Sequence, residues 1–256
     1  GAFDDEVLEA LQQGTLQERH LDACAGRMLS LLLVLKEIHL TQNLDDHVSE
    51  KDTQHTGHHH LARQAAMQSI VLLKNEGGLL PLAKGENNKK IAVIGEFAKE
   101  PRFQGMGSSQ VNPSTIDYAW NRVQEYAKEV HYAKGYNANN STKMGDNDQT
   151  DEAQNLINEA VELAKACSVA IVFCGLPEIA ESESFDRDSI SLPESHNALV
   201  EAVVAANPHT IVVLSNGSPI TLPWLEKVPA VFESWLCGQG GSSAVVDLIF
   251  GDASPS

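Results

Sequence analysis

Short, almost uninterrupted apolar runs limit what this chain can fold into more than any other feature. Lys90-Ile-Ala-Val-Ile94 stops at Gly95, Val169-Ala-Ile-Val-Phe-Cys174 at Gly175, and Thr210-Ile-Val-Val-Leu214 at Ser215. Val130–Ala133 and Ala230–Glu233 are shorter runs of the same kind. Strands without polar alternation are buried on both faces, as in parallel sheets. Between them, apolar residues recur at helical spacing over Ile116–Ala127, Asp151–Ala166 (capped at Thr150 or Asp151), Pro193–Ala206 and Ser242–Phe250. Strand–helix alternation of this kind predicts an α/β fold with a doubly wound, mostly parallel sheet.

The segments before the first such strand read differently. Residues 4–38 are helical, with an apolar stripe of Met28, Leu31, Leu32 and Leu35 expected to be core. A polar, aperiodic stretch that takes in His58 and His59 reads as a linker over residues 41–59, and the His triplet His58–His60 as a solvated helix start. Residues 61–75, LARQAAMQSIVLLKN, read as a helix running into a short apolar segment. Gly135–Asp151 reads as a polar loop.

Composition narrows the partners. Hydrophobic residues make up 42% of the 256, enough for a sizeable core, and the formal net charge of −17 repels nucleic acid and anionic membrane surfaces. No apolar run approaches the roughly 20 residues that span a bilayer. Cys24, Cys167, Cys174 and Cys237 form no CxxC pair and no zinc spacing; free thiols are expected, and no metal or cofactor. The first residues, Gly-Ala-Phe-Asp-Asp, show neither an initiator Met nor a leader, so the expectation is a processed chain or a portion of a longer one.

Chemistry concentrates where strands end. After Gly175 and Pro177 the chain becomes acidic, with Glu178, Glu181, Glu183 and Asp186 followed by Arg187. Open α/β sheets bind ligands beyond the carboxyl ends of their strands, so these carboxylates are candidates for acid/base work. The other candidate is the loop Gly105-Met-Gly-Ser-Ser-Gln-Val-Asn-Pro113 after Gly95. It lacks the third glycine of a dinucleotide fingerprint and the lysine of a P-loop, so a polar ligand-facing loop is expected rather than a nucleotide site.

Taken in order, HLARQAA, SIVLLKN, LLPL, IAVIG, GMGSSQVNP, ESESFDR, SNGSPITLPW and ESWLCGQGG resemble the second domain of glycoside hydrolase family 3, over roughly residues 5–256. The resemblance implies an α/β sandwich over 60–256, lacking its C-terminal end and preceded, at 1–40, by the last helices of a (β/α)8-type barrel. It implies a retaining, exo-acting β-glycosidase, with a β-glucoside or oligosaccharide as substrate and an upstream barrel as partner. The family's acid/base glutamate, in a Glu-Gly-x-Asp-Arg pattern, maps to Glu183, with Ser184 in place of the glycine and Glu181 as a rival. Asp186 and Arg187 would support the loop as an ion pair, and Ser108 would meet a sugar hydroxyl. The family's nucleophilic Asp lies in a Ser-Asp-Trp context that this sequence does not contain, so this chain alone is expected to be inactive. Trp224 and Trp235 are expected in the core rather than as sugar-stacking faces. The alternative is a non-catalytic carbohydrate- or partner-binding module.

Overall fold

A computed structural model describes residues 4–42, 52–85, 89–138, 151–184 and 186–256. The chain forms two compact units, Gly1–Lys51 and Asp52–Ser256. In the first, α1 (Asp4–Gln12) ends just before Gly14 and α2 runs over Glu18–Gln42. The expected stripe on α2 is not core within this chain: Met28, Leu31, Leu32 and Leu35 are all more than half exposed, as are Leu29, Leu33 and Val34 beside them. The exposed apolar residues are concentrated over Met28–Leu35, with charged residues on either side.

The second unit opens with α3 (Asp52–Ser69), so the stretch read as linker is helical from Asp52; its residues 43–51 lie outside the described residues. The helix stops at Ser69, and the short apolar segment it was expected to run into is a strand. Ile70 is fully buried and Val71–Asn75 forms β1, which pairs antiparallel with β6 (Ala230–Glu233). Consecutive branched residues favour the strand, and edge pairing with β6 supplies backbone bonds that a local helix pattern does not reveal. The remaining elements are β2 (Lys90–Ile94), α4 (Ala119–Tyr126), β3 (Glu129–Ala133), α5 (Asp151–Ala166), β4 (Val169–Gly175), α6 (Glu194–Ala206), β5 (Thr210–Ser215) and α7 (Gly241–Ile249). The expected polar loop falls largely on residues 139–150, which with Thr150 lie outside the described residues.

The six-stranded sheet has the order β1-β6-β5-β4-β2-β3, parallel except for β1. Every residue of β4, β5 and β6 is buried, as uninterrupted apolar strands require. The chain steps from β2 out to β3, then returns past β2 to β4, β5 and β6. With right-handed crossovers, α4 covers one face and α5 and α6 the other. Packing agrees: α3 and α4 each lie against α7, and α5 against α6.

One polar junction ties the α3–α4–α7 layer together. Asp247 of α7 is buried and accepts from Arg63 Nε of α3 at 2.9 Å, Arg122 Nε of α4 at 2.9 Å and the Tyr126 hydroxyl at 2.9 Å. Removing one partner of a buried ion pair leaves charge without compensation. Asp247→Ala is therefore expected to lower unfolding free energy by about 3–5 kcal/mol, measured by urea denaturation, with Asp247→Asn costing less because it keeps an acceptor.

Candidate active site

Strands β2 and β4 are neighbours, yet the chain leaves them towards opposite edges of the sheet. The crevice at their carboxyl ends is the topological switch point, where open α/β folds bind ligands. The loop after β2 carries Gly105–Pro113 and the loop after β4 carries the acidic segment. They meet there: Met106 and Ser182 form a parallel bridge.

The first loop is shaped by a side chain that sequence reading passed over. Gln104 closes it, its Oε1 accepting from the Val111 N–H at 3.0 Å and its Nε2 donating to the Val111 carbonyl at 3.2 Å. That clamp presents Gly107 and Ser108 to the acidic loop. The Ser108 backbone N–H donates to Glu183 Oε2 at 3.2 Å and its hydroxyl donates to the same oxygen at 2.6 Å. Gly107 has φ 94, and a Cβ there would stand 3.0 Å from both Glu183 Cβ and Oε2, so glycine is required for this approach. What comes close to these residues is thus Glu183 itself.

Glu183 is exposed, and its Oε1 has no hydrogen bond among the described residues. The Ser108 hydroxyl, then the Ser108 N–H, hold its carboxyl below the usual carboxylate range. As it stands Glu183 is a carboxylate, suited to the base half of an acid/base cycle. Acting as the acid requires burial or a neighbouring negative charge to raise it. The next residue, Ser184, has φ 70, the left-handed region glycine enters freely.

The rest of the acidic loop divides by burial. The Glu181 side chain turns inward: its Oε1 accepts from the Gly217 N–H at 2.8 Å and the Ser218 hydroxyl at 2.6 Å, and Arg102 Nη2 lies 3.7 Å from its Oε2. Arg102 is buried, none of its guanidinium nitrogens is hydrogen-bonded among the described residues, and burial pulls its pKa down from the ordinary value. Asp186 is exposed and forms no ion pair with Arg187; Arg187 Nη1 instead donates to the Pro219 carbonyl at 3.3 Å. The side chains are adjacent in sequence, but Arg187 is drawn towards the segment after β5.

Glu233, at the end of β6, was not singled out from sequence. It is buried, accepting from the Trp235 N–H at 2.9 Å and Asn216 Nδ2 at 3.2 Å. Burial pushes its carboxyl up to about 7, helped by Glu181 and opposed by those two bonds. Trp224 is in the core, donating to Asn197 Oδ1. Trp235, expected there too, is 43% exposed at φ 55, because its indole N–H reaches the Ser69 carbonyl at the surface. His59 is half-buried rather than solvated: Gln239 Nε2 donates to its Nδ1 at 2.7 Å, and its Nε2 donates to Asp117 at 2.9 Å. All four cysteines are free. Among the described residues no cluster of His, Cys, Asp and Glu is arranged to hold a metal ion, and no helix is long and apolar enough to cross a membrane.

A doubly wound α/β domain with an exposed glutamate held at its switch point defines the class. Residues 70–256 match the model of the glycosyl hydrolase family 3 C-terminal domain. The thermostable beta-glucosidase B of Acetivibrio thermocellus is 40% identical over 259 residues, covering 100% of this chain and 32% of that protein. An exo-alpha-(1->6)-L-arabinopyranosidase of Bifidobacterium longum is 40% identical over 260 residues, covering 99% and 32%. The crystal structure of a family 3 beta-glucosidase from Bifidobacterium adolescentis superposes with a TM-score of 0.69 at 38% identity, over 98% of this chain and 34% of that one. The chain belongs to glycoside hydrolase family 3, and it spans about a third of the length of these relatives.

Two consequences are measurable. Ser184→Gly is expected to raise unfolding free energy by about 0.5–1 kcal/mol, the left-handed penalty less the added freedom of the unfolded chain; thermal unfolding checks it. For Glu233, the unfolded chain releases the proton near pH 4.5 whereas the folded chain keeps it to about 7. Its contribution is complete below pH 4.5 and falls by about 3 kcal/mol as pH rises through 7. Glu233→Gln should therefore gain stability over wild type with rising pH, from no difference at pH 4 to a plateau by pH 8, in paired urea titrations.

Proposed function

We propose that this chain supplies the general acid/base half of a retaining, exo-acting β-glycosidase, a β-glucosidase in the first instance. The observation that carries the proposal is the setting of Glu183: at the switch point, with one oxygen held by Ser108 and the other open, followed by a left-handed residue where the family pattern has glycine. Glu183 protonates the glycosidic oxygen as the bond to the sugar breaks and a nucleophilic carboxylate bonds to the anomeric carbon. Glu183, now ionised, then takes a proton from water as the water's oxygen displaces that carboxylate. Retaining chemistry places the two carboxyl groups about 5–5.5 Å apart. The nucleophile comes from a barrel domain outside this chain, and its charge, with the burial it brings, lifts Glu183 into the range an acid needs. On this reading the exposed apolar residues of α2 are the face which the rest of that barrel buries. Arg187 fastens the acidic loop, Asp186 lies at its exposed edge, and Ser108 orients Glu183 and reaches a sugar hydroxyl when substrate binds.

The relatives are named both beta-glucosidase and arabinopyranosidase at the same 40% identity, so identity alone does not choose between the two sugars. A second reading, a non-catalytic carbohydrate- or partner-binding module, is favoured by one observation: Glu183 in this chain is pulled down, away from the pKa of an acid.

Substitution separates the two. In the enzyme that joins this chain to its barrel, Glu183→Ala should lower kcat about 10²–10⁴-fold on glucosides with poor leaving groups, with azide restoring part of the turnover on activated ones. Near-normal turnover on an ordinary substrate would sink the acid/base assignment.

A further inference from the structure

The acidic loop is fastened at two points to one short segment. Glu181 takes the N–H of Gly217 and the hydroxyl of Ser218, and Arg187 donates to the carbonyl of Pro219. Both feet of the loop therefore stand on residues 217–219, which follow β5. Between the feet the chain reaches across to the β2 loop, through the Ser182–Met106 bridge and the Glu183–Ser108 bonds. Ser182, the single residue between the two glutamates, is extended at φ −80 and ψ 144. Glu181 and Glu183 are thus joined through a single residue, which is itself bridged to Met106.

The two carboxylates differ in what they can reach. Glu181 has a side chain only 6% exposed, both contacts of its Oε1 are to protein, and its Oε2 faces the buried Arg102. A substrate oxygen has no access to it. It does offer a rigid acceptor to two donors of another loop, in a setting where losing an acceptor is costly.

We infer that Glu181 is a positioning residue: pinned to Gly217 and Ser218, it fixes where Glu183 stands against Ser108. The consequence for turnover rests on the acid/base reading above; the positioning itself does not. Displacing a catalytic group by about 1 Å costs on the order of 100-fold in rate, so an anchor two residues from the acid/base bears directly on kcat.

The test is a carbon-13 NMR titration of the Glu183 carboxyl in this chain as wild type, Glu181→Ala, Glu181→Gln and Ser108→Ala. Wild type should titrate below the ordinary range and Ser108→Ala nearer to it. If Glu181 positions Glu183, Glu181→Ala loosens the Ser108 contact and its midpoint moves up towards that of Ser108→Ala. Glu181→Gln keeps the acceptor and stays at the wild-type midpoint or below. A charge effect alone has the opposite sign, since removing a nearby negative charge makes Glu183 easier to ionise. Ser218→Ala, which removes one of the two anchoring donors, should shift part of the way and serves should Glu181→Ala not fold. In the complete enzyme, Glu181→Ala should lower kcat about 10–100-fold with KM within threefold, and keep the pH-rate limb that Glu183→Ala abolishes. A wild-type Glu183 midpoint in both folded Glu181→Ala and Ser218→Ala, or equal shifts in the Ala and Gln variants of Glu181, would overturn the inference. Should Glu183→Ala retain full turnover, the acid/base reading fails while the titrations still decide the positioning.

Discussion

Strands β2 and β4 are paired neighbours, but the chain leaves one towards β3 at the sheet's edge and leaves the other towards β5 and the opposite side. That reversal sends the following segments over opposite faces and opens a crevice between them at the carboxyl end. Two loops flank the crevice and meet above it through Met106, Ser182, Ser108 and Glu183. A carboxylate at this junction is held from both sides of the switch point.

Within the acidic loop, burial separates two glutamates that stand two positions apart. Glu181 turns inward, where polar burial without partners is costly and each oxygen must be met by donors or positive charge. Glu183 turns outward and is restrained through a single oxygen. Beneath them lie buried polar groups: Asn216 just after β5, Glu233 at the end of β6, and Arg102 on the loop after β2.

The sheet was legible because its strands are uninterrupted branched runs, and α5 because Ala153, Leu156, Ile157, Ala160 and Leu163 mark one face through its whole length. Glu183 could be named because it falls in a pattern with Asp186 and Arg187 at the right spacing. What stayed hidden depends on contacts distant in sequence. The antiparallel β1 exists through β6, some 160 residues later by the register Val71↔Glu233. Gln104 as a loop clamp, Glu233 as a buried acid and His59 between Asp117 and Gln239 are each set by a partner that no local pattern announces. Trp235 reads as core by residue type, yet its backbone conformation carries it to the surface. The apolar stripe of α2 reads as core by its spacing, yet among the described residues it is exposed, because spacing shows which residues share a face and not what covers it.

The most direct test of Glu183 as half of an active site is a crystal structure of the enzyme that joins this chain to its barrel, with a sugar-like inhibitor bound. The expected result is a Glu183 carboxyl oxygen within hydrogen-bond reach of the glycosidic position and about 5–5.5 Å from the barrel's nucleophilic carboxylate. A Glu183 side chain turned to solvent, with another carboxyl at that distance from the nucleophile, would contradict it.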